Sequence, residues 1–203
     1  LPANACPGIP VVVYEGKTYH TIQIGTQCWM KENLDVGLIK SSFEPLTNNG
    51  IIEKYCYDDD PLNCEVDGAF YSWDEMMNYV ASSNLVPSGI QGICPVGWHI
   101  PSDAEWDILT LYLGGSGVAG GKMKETSSCH WYNPNVGATD EFGFDAHGTG
   151  DRGWDGSFSA YKGRVSFWSS YDSWMRRMQS DNAELLRSPP YSSAAYSVRC
   201  LKD

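Results

Sequence analysis

The sequence predicts an α+β domain: two helices beside antiparallel sheets, joined by long ordered loops. Three observations carry this. Ser-x-x-Glu occurs at Ser72/Glu75 and Ser102/Glu105; in each the Ser oxygen can accept from the N3 amide while the Glu reaches back to the cap amide, the signature of a helix start. Apolar or alternating runs with the composition of strands lie at both ends of the chain. Finally, 42% apolar residues and eight Trp among 203 residues are enough to fill one core. The whole chain, 1–203, reads as a single domain, with 1–13 as an N-terminal extension or first strand.

The elements follow in order. Residues 10–14 and 18–24 are apolar or alternating around Glu15-Gly16-Lys17 and read as a β-hairpin. Residues 28–34 continue as extended chain, and 37–54 read as loop, broken by Pro45, Asn48, Asn49 and Gly50. The first helix is expected over about 72–80. The second, over about 102–113, stops at Gly114-Gly115. On it Trp106, Leu109 and Leu113 share one face and read as core. Residues 114–163 are rich in Gly and aromatics and read as an ordered excursion with short strands, pinned by Trp131, Phe142, Phe144, Trp154 and Phe158. Strands are expected at about 164–170, 173–179, 183–187 and 195–201.

A formal charge of −11 argues against nucleic-acid binding, which needs clustered Lys and Arg. No run approaches the roughly 18 apolar residues of a membrane-spanning helix. The seven Cys contain no CxxC pair, so a zinc site or dithiol redox motif is not indicated, and disulfides in an oxidising compartment are the better reading. Cys56 and Cys64 flank a short polar loop and can close it. Cys94 with Cys200 makes a plausible long-range staple and Cys6 with Cys28 an N-terminal one. That leaves Cys129 as a free thiol or an intermolecular link.

Sharper chemistry is weakly signalled. Asp58-Asp59-Asp60 offers oxygen ligands to calcium but lacks EF-hand spacing and reads as a solvated acidic loop. Asp140-Glu141 is a second weak calcium candidate, better read as a turn or cap. Glu44-Pro45 is similar to the sugar-binding motif of calcium-dependent lectins, but Leu46 follows where Asn is expected. The four His, at 20, 99, 130 and 147, show no metal-ligand spacing, and His99 reads as a satisfied core residue. Cys129-His130 is no nucleophile–base pair, because sequence neighbours rarely orient correctly. Neither a catalytic set, a metal site nor a bound cofactor is expected.

The C-terminal segment is the most informative. Phe167-Trp168-Ser169-Ser170 and Tyr196-Ser197-Val198-Arg199-Cys200 both look like core strand. Between them the side chains have little in common, which suggests a display surface on a fixed frame. Tyr171, Trp174, Met175, Arg177 and Tyr191 make a plausible binding patch, since aromatics and Arg are enriched at hot spots. Trp174 also reads as core, and strand alternation then places Met175 and Arg177 on the opposite face. On a display surface, replacing Met175, Arg177, Leu186 and Tyr191 by Ala leaves melting nearly unchanged.

Several segments together carry a resemblance. They include Ile24-Gly25-Thr26-Gln27-Cys28-Trp29-Met30-Lys31-Glu32-Asn33-Leu34, Gly68-Ala69-Phe70-Tyr71-Ser72-Trp73, and Cys94-Pro95-Val96-Gly97-Trp98-His99-Ile100-Pro101-Ser102. Tyr55-Cys56-Tyr57 with Asn63-Cys64, Thr139-Asp140-Glu141-Phe142-Gly143-Phe144, Phe167-Trp168-Ser169-Ser170 and Ser197-Val198-Arg199-Cys200 belong with them. The chain resembles the Fibrobacter succinogenes major paralogous domain over about 14–202. The resemblance implies a C-type-lectin-like fold of the formylglycine-generating-enzyme type, without that enzyme's activity. It also implies secreted, cell-surface (lipoprotein included) or virion-associated proteins of Bacteroidetes, relatives and their phages. Some similar domains are variable proteins of diversity-generating retroelements, which mutate a C-terminal segment, here about 167–200. The candidate ligand-binding positions are Tyr171, Asp172, Trp174, Met175, Arg177, Gln179, Ser180, Glu184, Leu186, Pro189, Pro190 and Tyr191. The expected partner is a protein or glycan ligand. A non-diversified adhesive or structural surface module of the same family is the alternative.

Overall fold

The computed structural model of the chain describes residues 4–189 and 193–203. The chain opens with β1 (Val11–Tyr14), β2 (Lys17–Ile24) and β3 (Gln27–Met30), then β4 (Leu38–Ile39) and β5 (Glu53–Lys54). Next come α1 (Pro61–Asp67), β6 (Tyr71–Ser72), α2 (Trp73–Met76), β7 (Trp98–His99), α3 (Asp103–Tyr112) and α4 (Ser116–Met123). The rest is β8 (Asp151–Arg152), β9 (Phe158–Ser159), β10 (Arg164–Trp168), β11 (Met175–Gln179), β12 (Leu186–Ser188), β13 (Ala195–Tyr196) and β14 (Leu201–Lys202). The class is α+β, and the described sheets are antiparallel except for the β4–β5 pair.

The first hairpin forms as read. Tyr14 pairs with Lys17 across Glu15 and Gly16, both at positive φ, so the turn matches the strand twist. The last strand, β14, lies between β3 and β7 in the sheet β1-β2-β3-β14-β7, so the two ends of the fold share one sheet. The C-terminal segment forms a second sheet, β10-β11-β12, while β13 joins β6, β8 and β9. The 37–54 stretch is more than loop: β4 and β5 pair in parallel near its ends, Leu38 opposite Glu53.

There are four described α-helices, not two. The missed α1 carries a legible start: Asp60 accepts from the Leu62 amide and Pro61 occupies the first turn. The missed α4 has the sequence SGVAGGKM, which its three Gly argue against. Close approach explains it: a Cβ on Gly120 would overlap the Glu184 carbonyl, and one on Gly121 the Gly137 carbonyl. The full capping box forms at Ser102/Glu105 of α3. At Ser72 only half of it forms, because the Glu75 side chain accepts instead from the Glu53 amide and the Tyr79 hydroxyl. Accordingly α2 ends at Met76, short of the expected 80.

Trp106, Leu109 and Leu113 are buried as read. Trp106 packs on Trp29 (4.6 Å between ring centroids) and on Phe167 (5.7 Å). Trp131 and Phe144 are buried, and Phe142 and Phe158 half-buried. Trp154, expected to pin the same excursion, is instead 73% exposed.

Arg199 ties the frame together. It lies buried, with Nε donating to Asn33 Oδ1 (2.8 Å), Nη1 to the Phe144 carbonyl and Nη2 to the Asp145 carbonyl (3.3 Å). Its guanidinium also sits 4.1 Å from the Phe144 ring centroid and 5.3 Å from that of Phe167. Burial pulls its pKa down to about 10, against the pull of Asp145, Glu32 and Asp140. One side chain thus joins four of the segments that carry the family resemblance.

Disulfides join Cys6–Cys28, Cys56–Cys64 and Cys94–Cys200, and Cys129 is a free, exposed thiol. Three disulfides fit an extracellular or secreted protein. No described helix is long and apolar enough to cross a membrane.

Candidate functional site

The middle of the C-terminal segment is frame, not display. Met175 is 0% and Arg177 7% exposed, so neither offers a face to a ligand. β11 is the central strand of its sheet, and side chains from other elements cover both its faces. On one side Arg176 bonds Asp103 and Asp107 of α3. On the other Arg177 Nε donates to Ser166 Oγ (3.0 Å), and Nη2 lies 3.5 Å from Asp151. Met175 packs in the core beside Trp168 and Tyr196. Replacing Met175 and Arg177 by Ala therefore removes core contacts, contrary to the expectation of unchanged melting.

The other expected positions divide. Asp172 is exposed and accepts from Ser82 Oγ (2.8 Å). Tyr171, Gln179 and Ser180 are half-buried. Trp174 is also half-buried rather than core, with the Arg187 guanidinium 3.5 Å over its ring. Glu184 and Leu186 are exposed and line a cleft of about 520 Å³ between β12 and α3. Pro189 is exposed; Pro190 and Tyr191 lie outside the described residues.

A second cleft, of about 540 Å³, was not foreseen. Phe43 (77% exposed) and Trp154 (73%) line it and stand open to water. Trp73 lines it as well, its Nε1 donating to the Ser169 carbonyl (2.9 Å), while Tyr55 and Trp168 contribute buried rings. The C-terminal segment supplies Trp168, Ser173, Ser193 and Ala194. Polar groups come from Asp74, Ser72 and Arg152.

These rings are held in place. Arg152 Nε and Nη2 donate to the Ser42 carbonyl and Nη1 to the Ser193 carbonyl (3.0 Å), while the guanidinium stacks 4.4 Å from the Tyr55 centroid. Tyr55 Oη donates to the Glu44 carbonyl (2.6 Å), and burial raises its pKa despite Arg152. Gly156, at φ +85°, lets the 153–157 turn press on Ser42 and Phe43. In that turn Asp155 accepts from the Ser157 hydroxyl (2.7 Å) and amide (3.1 Å), which hold its carboxyl below the ordinary value. Glu44 pairs with Lys40 (3.3 Å), leaving Pro45 and Leu46 to line the cleft. One signal could have pointed here: Trp154 stands in Arg152-Gly153-Trp154-Asp155-Gly156, between charged residues and glycines.

The candidate cation ligands are largely engaged elsewhere. Asp59 accepts from the Ser42 amide (2.8 Å) and hydroxyl (3.0 Å), and Asp60 caps α1. Asp140 accepts from the Asp145 amide (2.8 Å), as a turn residue would. His99 is buried and bonds Glu105 (2.9 Å) and Asp203 (2.7 Å). The histidine spacing, however, misled in one place: the fold stacks His130 on His147 beside Asp67, so these ligand types do converge.

No curated protein sequence matches the chain, and no solved structure does. The family model of the Fibrobacter succinogenes major domain matches residues 22–202. That span holds each segment tied to Arg199, and the chain belongs to the Fibrobacter succinogenes major domain family.

Proposed function

We propose that the chain is a non-enzymatic, extracellular ligand-binding module of C-type-lectin-like architecture that takes a glycan in the aromatic cleft. The observation that carries this is the pair of exposed rings, Phe43 and Trp154, at a cleft of about 540 Å³. Its size falls in the usual range for ligand sites, about 300–1,000 Å³. Aromatic faces left open to water cost stability and offer an apolar platform to the C–H face of a sugar ring. Asp74, Ser173 and Ser193 supply hydrogen-bonding groups for its hydroxyls. The shared sheet of the chain ends, the long ordered loops and the Cys94–Cys200 staple support the lectin-like architecture.

The exposed part of the C-terminal segment is the adjustable part of the surface. Asp172, Glu184, Leu186 and Pro189 are exposed and can change without touching the core; Pro190 and Tyr191 remain candidates from the sequence alone. Diversification by a retroelement would act on this narrower set and spare Met175 and Arg177. The coding locus tests it: a template repeat differing at adenines in those codons supports diversification, and its absence leaves a non-diversified adhesive module. A glycan array probed with the oxidised protein tests the ligand class. Binding is expected for the parent and lost on joint Phe43→Ala and Trp154→Ala; equal binding by the double variant overturns the assignment.

A further inference from the structure

We infer that Asp67, His130 and His147 form a binding site for a zinc-type divalent cation, apart from the aromatic cleft. The candidate ligand atoms of these three residues lie within 4.8 Å of one another. Asp67 is buried at the end of α1, and His147 Nδ1 lies 3.0 Å from its Oδ1. That separation is near the roughly 3.3 Å edge of a tetrahedron with metal–ligand bonds of about 2.0–2.1 Å. Two imidazoles and one carboxylate make a borderline donor set that suits zinc over calcium or magnesium. A cleft of about 70 Å³ lined by Asp67 and His147 gives an entry path and room for water on the ion.

The surroundings have the form of an outer shell. Tyr161 Oη donates to Asp67 Oδ2 (3.0 Å), holding the carboxylate so that Oδ1 faces His147. Glu125 Oε2 lies 3.5 Å from His130 Nδ1, and both atoms are buried without a hydrogen bond. A shift of a few tenths of an ångström would let Nδ1–H donate to this carboxylate, which is the outer-shell contact that offers Nε2 to a metal. The backbone brings the histidines together: the Gly148 amide donates to the His130 carbonyl (3.1 Å), and a Cβ on Gly148 would come within 2.7 Å of that oxygen.

The two rings stack face to face, 3.7 Å apart and 6° from parallel. Lone pairs of stacked rings run side by side rather than meeting. Binding therefore requires His130 to swing out of the stack, closing the ligand atoms by about 1–1.5 Å towards tetrahedral spacing. Where Nδ1 of His147 is the ligand atom, the proton of its hydrogen bond to Asp67 moves to Nε2 or to solvent as the ion binds.

The test uses the oxidised full chain carrying Cys129→Ser, which removes the exposed thiol as an alternative ligand. Zn²⁺ is titrated by calorimetry and Co²⁺ by visible absorption. One saturable Zn²⁺ site is expected, with a Co²⁺ spectrum of low coordination number. His147→Gln and His130→Ala should abolish it, while His20→Ala, which alters the surface pair with Glu32, should not. Tyr161→Phe should weaken it by about 10–100-fold, as for other outer-shell partners. Histidine ring ¹⁵N shifts of the Cys129→Ser protein give a readout without further variants: His130 and His147 should move on adding Zn²⁺, and His20 and His99 stay. Absence of saturable binding, shifts confined to His20, or a site that survives His147→Gln would overturn the inference.

Discussion

The Arg199 hub and the aromatic cleft are both built from aromatic rings and an arginine, yet they differ in every respect that bears on function. At the hub, Phe144 and Phe167 are fully buried, and the guanidinium meets Asn33 and two carbonyls. At the cleft, Arg152 is held as firmly, but Phe43 and Trp154 are left to water. The hub converts aromatic area into stability, whereas the cleft retains it for a partner. Variants should separate the two.

The largest expected effect lies in the staple beside the hub. Cys94–Cys200 closes a loop with a sequence separation of 106, against 8 for Cys56–Cys64. In the chain-entropy view the first contributes about 4.8 kcal/mol and the second about 2.5 kcal/mol. Paired Cys→Ala variants compared by denaturant unfolding should keep that order. Arg199→Met comes next. It strands Asn33 Oδ1 and the Phe144 carbonyl in the interior and should cost about 3 kcal/mol, which for a chain of this size lowers Tm by roughly 6–12 °C.

How much of this could be read from the chain follows from what each feature depends on. The hairpin, the box at Ser102 and the short Cys56–Cys64 loop rest on local chemistry and were legible; Cys6–Cys28 and Cys94–Cys200 form as expected, although seven Cys allow many other pairings. α4 was not, because its glycines are explained only by the Glu184 and Gly137 backbones that press against them. The burial of Met175 and Arg177 was hidden for a related reason: alternation gives two faces of a strand but does not say whether both are covered. The His130–His147 pair depends on Gly148, which joins two loops only after folding.

Met175 and Leu186 test the boundary between frame and display. Leu186 of β12 pairs with Arg177, two residues along β11 from Met175, and Leu186 and Met175 are 41% and 0% exposed. Met175→Ala should cost about 2–4 kcal/mol through cavity formation. Leu186→Ala should stay within about 0.5 kcal/mol. Equal effects would erase the boundary drawn through the C-terminal segment.

A smaller, pH-dependent effect is expected at His99. Burial opposes its protonation, but Glu105 and Asp203 outweigh burial and raise its pKa above the ordinary value. A raised folded pKa means that the folded state holds the proton more tightly than the unfolded chain. The resulting stability is fully present below about pH 6.5 and is lost as pH rises through the folded pKa. The margin of the parent over His99→Gln, measured by denaturant midpoints, should therefore be larger at about pH 6 than at about pH 9. A margin that does not change with pH would leave His99 a neutral hydrogen-bonding residue.

The smallest stability change is expected where the functional change is greatest. Trp154 and Phe43 each touch water over most of their surface, and Phe43 lies against the 153–157 turn at Gly156. Their joint replacement by Ala should leave unfolding within about 0.5 kcal/mol of the parent, because exposed apolar side chains contribute little to folding. Loss of a stacking platform from a ligand site usually costs more than about 1–2 kcal/mol of binding, a drop in affinity of about tenfold or more. The contrast therefore requires two measurements on one variant. Unchanged melting with lost glycan binding marks the rings as held for a ligand. A drop of many degrees would mean that the cleft is part of the core that Arg152 and Tyr55 support, and the difference between hub and cleft would be one of degree only.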